Sequence, residues 1–477
     1  PLMSFNSIKN ITVISIAISF LFLLHGCSFL EYRESKLDVE NINDTLNVAD
    51  TENDTFNEHL IKNGYLKEDL PIQQWGLDEL ILAQLFFNRE LRTAKSEWDI
   101  IQAEEGIAAL SPSTSLGVNI GRGDSSQEIS QNIYGAGFSF TFEAADKKLI
   151  RHEIAFNKTQ SALLSFQIKA TESKSQLLET LINYIENHDL IITQKKEVQV
   201  RQSIFLMVKK RFDLGIASQI DIDRLALAMS SSYQALTALQ AAQEELKQKL
   251  ATHTGMTLEK FNLLPINADK IKNSLKRSAE TFTEKTKINE IKRAATLNSL
   301  SLRKLLADYA ITESELKYAI AKQYPDYTFT PAYTYDLGNY IWSLGIDSAI
   351  TSSEKNIMLI NKAEKIRALG ANKIYAYQLE LLNQAEQLLP AFENKKNALD
   401  HTETLLEAKN RLTKQLQEQF EKGYMDRLDL ELELAKLYEV DKKYHKALYN
   451  LIYTGLDAER IMQKPIITYK AYFINEE

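Results

Sequence analysis

Four short runs of this chain alternate apolar residues with small or polar ones. Leu116, Val118 and Ile120 alternate with Ser115, Gly117, Asn119 and Gly121, and Tyr134, Ala136, Phe138, Phe140 and Phe142 with Gly135, Gly137, Ser139 and Thr141. Farther on, Tyr327, Phe329, Pro331, Tyr333 and Tyr335 alternate with Thr328, Thr330, Ala332 and Thr334, and Trp342, Leu344, Ile346 and Ile350 with Ser343, Gly345 and Asp347. Successive side chains of a strand point to opposite faces, so the pattern predicts strand pairs at about 114–142 and 327–350. Their length and aromatic faces fit membrane β-strands, apolar toward lipid and small or polar toward water. A sheet on a soluble core would alternate in the same way, but four runs sharing one asymmetry favour the membrane reading. Four strands cannot close a barrel, and an open edge leaves backbone groups unsatisfied in hydrocarbon. The pattern therefore predicts oligomerisation: two chains would close only a plugged barrel of about eight strands, whereas three would supply twelve.

The remaining sequence is polar and rich in Ala, Leu, Lys, Glu and Gln, with helical periodicity. No Pro or Gly falls between about 145 and 214, and only Gly370 and Pro390 interrupt 352–422. A helix of roughly 70 residues spans about 100 Å. Returning arms at about 218–253 and 426–454 and lead-in helices at about 77–110 and 285–323 are half as long, so that one arm and one lead-in, stacked end to end, match a long helix. Ala226, Ala228, Ala235, Ala238, Ala241 and Ala242 are expected on the inward face of the first arm, since small residues permit close helix pairing.

Between each long helix and its arm the chain repeats itself. Arg211-Phe212-Asp213-Leu214-Gly215-Ile216-Ala217-Ser218-Gln219-Ile220-Asp221 returns as Gln419-Phe420-Glu421-Lys422-Gly423-Tyr424-Met425-Asp426-Arg427-Leu428-Asp429. Each Gly fits the position just past a helix end, Ser218 and Asp426 fit N-caps, and Asp221 and Asp429 fit capping-box acids three residues on. The turns lie at about 212–221 and 420–429. Asn88 and Asn298, Pro112 and Pro325, and Gly255 and Gly455 are further matched landmarks. They predict a duplicated helix-strand-strand-helix unit, the first copy at 73–264 and the second at 265–477.

The 477 residues carry a formal net charge of −8, which offers nucleic acid no basic surface. Ahead of the first repeat, residues 1–26 read as a signal peptide: Lys9 precedes an apolar stretch from Ile11 to Leu24 that falls short of a spanning helix. Leu24-His25-Gly26-Cys27 ends it, and with one cysteine in the chain no internal disulfide can form. The acidic, Asn-rich stretch that completes 27–72 reads as a mobile tether from about Glu31 to Leu70. No G-x-S-x-G, P-loop or metal-ligand His spacing occurs, so an enzyme is not expected.

Leu24-His25-Gly26-Cys27 resembles the lipobox of bacterial lipoproteins, which implies a lipid on Cys27, the one covalent group expected; no cofactor or metal is. Ser28 in place of Asp after it is compatible with export to the outer membrane. Together with the paired Phe-x-x-Gly-x-x-x-x-x-Asp turns, the duplicated halves and Trp75-Gly76-Leu77-Asp78-Glu79-Leu80, it makes the chain resemble the outer membrane efflux protein family, the TolC-like outer membrane factors, from about Trp75 to Met462. The resemblance implies a fold that is mainly α with membrane β: a homotrimer whose twelve-stranded β-barrel in the outer membrane of a Gram-negative bacterium continues as a long periplasmic α-helical barrel. It implies a passive exit duct for a tripartite efflux or type I secretion system, with an inner-membrane transporter and a periplasmic adaptor as partners. The adaptor would dock at Gly215, Ile216, Ala217 and Ser218 and at Gly423, Tyr424, Met425 and Asp426, and Asp221 and Asp429 would lie beside the constriction. Some members carry another acid where this chain has Leu432; Glu431 and Glu433 would replace it only on a rotated helix. The alternative is a periplasmic coiled-coil scaffold lipoprotein without a channel, which would have no need of four aromatic-faced strands.

Overall fold

The computed structural model describes residues 30–37, 54–123, 131–285, 287–336 and 339–464; the expected signal peptide and Cys27 lie outside the described residues. The chain divides into two units, Pro1–Val48 and Ala49–Glu477. Of the first, residues 30–37 have no regular secondary structure. The second holds all the elements below.

Its helices are α1 (Asp54–Lys62), α2 (Leu77–Phe87), α3 (Arg89–Ala108), α4 (Lys147–Asp213), α5 (Gln219–Thr254), α6 (Leu258–Asn262), α7 (Ala268–Lys285), α8 (Ile288–Asn298), α9 (Leu300–Ala321), α10 (Ser353–Glu421) and α11 (Arg427–Met462). Its strands are β1 (Ser115–Gly123), β2 (Gln131–Phe142), β3 (Tyr327–Asp336) and β4 (Asn339–Ser348). They form one antiparallel sheet in the order β1-β2-β3-β4. The long helices have 67 and 69 residues, and each returning arm has 36. Pro390 lies inside α10, which runs on past it.

Near the sheet, α4 packs against α3 and α9, and α9 against α10; farther away, α4 packs against α5 and α11, and α11 against α10. Where arm meets lead-in, they join end to end. Asn88 Nδ2 donates to the His253 carbonyl at 2.9 Å, and Asn298 Nδ2 to the Met462 carbonyl at 3.1 Å. The core surrounds these joints, with Leu80, Ile81 and Leu82 of α2, Leu177, Leu181 and Ile182 of α4, Phe392 of α10 and Tyr449 of α11 all buried.

The joints revise four expectations. Each lead-in is two helices, because Asn88 and Ser299 leave helical geometry to cap α3 and α9, accepting from the Leu91 and Leu302 N–H groups at 3.1 Å. The acidic tether ends earlier than Leu70: α1 buries Phe56 and Leu60, with Phe56 stacked on Trp75. Two apolar residues four apart suffice to dock one face of an otherwise polar segment. Gly455 does not end the second arm but lies buried inside α11; the left-handed cap is Gln463, at φ 46°. Last, the α4–α5 seam buries Ser232, Gln243 and Leu250, whereas of the six alanines Ala226, Ala228 and Ala242 are half-buried and Ala235, Ala238 and Ala241 exposed.

Candidate functional site

The register sorts the sheet into two chemical faces. Val118, Ala136, Tyr333 and Trp342 lie opposite one another in turn, as do Ile120, Tyr134, Tyr335 and Tyr340. Leu116 and Phe138, Phe140 and Phe329, and Pro331 and Leu344 complete the same face. It is exposed, with Trp342 at 80% and Ile120 at 79%. Its aromatic rings touch, Tyr333 and Trp342 at 4.6 Å between centroids and Phe140 and Phe329 at 5.6 Å. Tyr134, Tyr335 and Tyr340 band the end away from the helices. Tyr327 marks the other end, eight residues along β3 from Tyr335, or about 27 Å at the usual strand rise. That matches the ~25 Å apolar band of a membrane barrel between its aromatic girdles.

The opposite face is small and hydroxylated, with Thr141 and Thr328 hydroxyls 2.9 Å apart and those of Ser115 and Ser139 at 2.6 Å. Ile133 and Ile341 depart from the pattern. Gly137 is required here, because a Cβ would come within 2.9 Å of Ala332 Cβ. Pro331 lacks an N–H, and the β2–β3 pairing lapses between Gly137–Ala332 and Phe140–Phe329. Among the described residues, strands β1 and β4 each leave an edge unpaired.

A charged collar fastens sheet to helices. Ala145 and Asp146 take left-handed backbone at φ 57° and 53°, turning β2 into α4. Lys147, 5% exposed, donates to the Tyr324 carbonyl at 2.5 Å and to Asp326 at 2.7 Å, and Asp326 also accepts from the Ala144 N–H at 2.9 Å. Arg151 binds Glu143 and the Ala108 and Leu110 carbonyls.

At the far ends of the long helices, both repeated turns close on their glycines as expected, but only the first completes its capping box. Gly215 and Gly423 have φ of 74° and 77°. The Ile216 N–H donates to the Arg211 carbonyl at 2.8 Å and the Tyr424 N–H to the Gln419 carbonyl at 3.0 Å, the six-to-one bond of a Schellman cap. Ser218 caps α5, and Asp221 in return accepts from the Ser218 N–H at 3.2 Å. The Ser218 hydroxyl donates to Asp221 at 2.7 Å, which with the backbone bond holds the Asp221 carboxyl below its ordinary pKa. The second turn differs: Asp426 caps α11 through the Leu428 N–H at 3.4 Å, and Asp429 makes no capping box there. Asp426 is engaged by Arg211, which lowers its pKa and ties one turn to the other. Ile216 is 73% and Tyr424 82% exposed, and Ala217 and Met425 are half-buried. Asp429 is exposed in the first turn of α11. Glu431 and Glu433 are held by Arg427 and by Lys409 and Lys436.

Sequence reasoning did not single out Arg211, Lys147 or Asp326 as site residues, since their partners lie far along the chain. It also missed the ladder joining α4 to α11. There Asp189 accepts from Tyr449 of α11 at 2.8 Å and also from Lys272 of α7 at 2.5 Å. Thr193 donates to Asp441 at 2.7 Å, and Lys442 reaches Gln194 and Glu197. Burial alone would raise the Asp189 pKa, but hydrogen bonds from His188, Lys272 and Tyr449 and the Lys272 charge bring it down to about 2. Among the described residues no group of His, Cys, Asp and Glu is arranged to hold a metal, and no helix is long and apolar enough to cross a membrane.

No protein-family model matches the sequence, nor does any curated protein. Solved structures do match in fold. The outer membrane protein VceC from Vibrio cholerae aligns with a TM-score of 0.65 at 13% identity, covering 81% of this chain and 95% of that one. The CmeC outer membrane channel of Campylobacter jejuni aligns at 0.65 and 12% identity over 91% and 93%. The MtrE outer membrane channel of Neisseria gonorrhoeae, in its open state, aligns at 0.60 and 15% identity over 81% and 88%.

Proposed function

We propose that this chain, which has the fold of TolC-like outer membrane factors, is an outer-membrane exit duct that passively conducts substrate delivered by an inner-membrane pump and a periplasmic adaptor. The observation that carries the reading is the sheet: every long apolar side chain but Ile133 and Ile341 falls on one exposed face, and both edges are unpaired. Such a face suits lipid, and such edges are tolerable in lipid only once closed. Strands β1 and β4 are antiparallel to each other, so β4 of one chain can extend β1 of the next without a change of direction. Three duplicated chains then give twelve strands, whose small hydroxylated face lines water. The long helices continue that lumen about 100 Å into the periplasm.

Beyond the sheet, the exposed turns at Gly215–Ser218 and Gly423–Asp426 are where the adaptor docks, and Asp221 and Asp429 stand beside the narrowing lumen. The Arg211–Asp426 pair holds the two turns of each chain in the resting tip. Cys27 carries the lipid that tethers the chain to the outer membrane. The test is the native mass of protein extracted from membranes in mild detergent, followed by conductance in a planar bilayer. About three chain masses and a conducting pore support the duct. A monomer or dimer released without detergent would overturn it in favour of a periplasmic scaffold.

A further inference from the structure

The helical layer beside the sheet also has two open edges, and they carry opposite charge. On α3, Ala94, Trp98, Ile101 and Glu105 face α4, with Trp98 stacked on Phe166. That leaves Glu97, Ile100, Glu104 and Ile107 in a stripe on the exposed side, Ile100 at 59% and Ile107 at 68%. On α10, Gly370 packs so closely that a Cβ would meet Tyr309 of α9 at 3.2 Å, and Arg367 pairs with Glu313 of α9 at 3.5 Å. The opposite side of α10 leaves Met358, Asn361, Lys362, Lys365, Ile366 and Leu369 exposed. The neighbouring acids Glu90 and Glu105 are satisfied by Lys169 and His152 of α4. Glu97, Glu104, Lys362 and Lys365 have no ion-pair partner among the described residues.

We infer that the α10 edge of one chain docks on the α3 edge of a second copy, Lys362 and Lys365 meeting Glu97 and Glu104 while Met358 covers Ile100 and Ile107. The inference rests on the trimeric duct and names the contact that orders its subunits. Helix α3 leads into β1 and α10 follows β4, so these edges continue the two unpaired edges of the sheet. At 1.5 Å per residue, Glu97 lies about 16 Å below the sheet end of α3, and Lys362 and Lys365 about 14 and 18 Å below that of α10. Glu97 therefore falls level with both lysines, and Glu104 is within a long side chain's reach of Lys362. An acidic edge repels another acidic edge and a basic edge another basic one, so the contact runs head to tail in a single sense, as a closed ring requires.

Charge exchange tests this, read as the trimer fraction of the full-length protein in mild detergent at low salt. Reversing the basic edge (Lys362→Glu with Lys365→Glu) is expected to lower the ratio of trimer to monomer about tenfold, as is reversing the acidic edge (Glu97→Lys with Glu104→Lys). The chain carrying all four substitutions regains wild-type assembly. All four positions are exposed, and unchanged helix content by circular dichroism shows that each variant folds. Full assembly of either pair variant, or failure of the fourfold variant to recover, would overturn the seam while leaving the trimer standing. A wild-type chain that never trimerises overturns the seam and the duct together.

Discussion

Three glycines with nearly the same φ have different reasons to be glycine. Around Gly215 and Gly423 nothing lies within 4 Å of where a Cβ would stand, so only the left-handed backbone demands them. Gly215→Ala and Gly423→Ala should each cost about 1–2 kcal/mol, the ordinary penalty for an L-residue there. At Gly255 the added Cβ would lie 2.5 Å from the Phe87 carbonyl oxygen, where α2 gives way to α3 against the end of α5. Gly255→Ala should therefore lower the thermal midpoint by several times the shift of either turn variant in melts followed by circular dichroism. Asp189 makes a separate prediction about pH. Its carboxyl is held at about 2, below the ordinary 3.8, so its ion pairing stabilises the fold above pH 4 and is lost as pH falls through 2. The depression is worth about 2 kcal/mol. In urea titrations between pH 2 and 6, Asp189→Asn should be less stable than wild type at pH 6, the gap narrowing toward pH 2. A constant gap would mean that the carboxylate's charge contributes nothing.

At the scale of elements, the sheet predicts an asymmetry between neighbours. Phe138 and Leu344 sit near the middle of the apolar face, and Phe138→Lys or Leu344→Lys should each cost about 2–4 kcal/mol in the bilayer and block membrane assembly. Ser343→Lys, one residue from Leu344 but on the other face, should assemble; trimer yield in membrane extracts checks both, and equal yields would remove the face assignment. This asymmetry was legible in sequence because period two is unambiguous over nine or more residues. The Schellman turns were legible for a similar reason, Gly and a cap residue standing three apart. The joints were not. The left-handed cap of the second arm is Gln463 rather than a glycine, because its Oε1 accepts from the Leu300 N–H at 2.6 Å, a bond that glycine has no side chain to make. Gly455 misled because glycine in sequence marks either a turn or close packing. In α1, two buried side chains among acids carry too little periodicity to outweigh composition. Arg211 opens the first turn motif where the second has Gln419, so the asymmetry was visible, but nothing local named Asp426 as its partner.

For the whole molecule, the polar face of the sheet decides what a closed barrel would prefer to pass. The register puts Asp336 at the outer end of that face, opposite Asn339, and Asp347 at the helix end, opposite Thr328. Between them lie Thr330, Ala332, Thr334, Ser343 and Gly345, with Ile341 as the apolar exception. Among the described residues no Lys or Arg falls on this face, since Arg122 shares the parity of Leu116 and Ile120. Threefold repetition would set a ring of carboxylates at each end of the membrane segment, some 27 Å apart at the strand rise. Across a lumen wider than the Debye length of about 10 Å at 0.1 M salt, such rings act weakly, but their reach grows to about 30 Å at 0.01 M. Such a barrel should thus prefer cations at low salt and lose much of that preference at high salt. Asp336→Asn with Asp347→Asn should move the reversal potential under a KCl gradient toward zero, while Asp221 and Asp429, if they ring the tip as proposed, would keep a remainder there. If the double variant reverses where the wild type does, selectivity resides wholly at the tip, and the barrel is an electrically indifferent outlet.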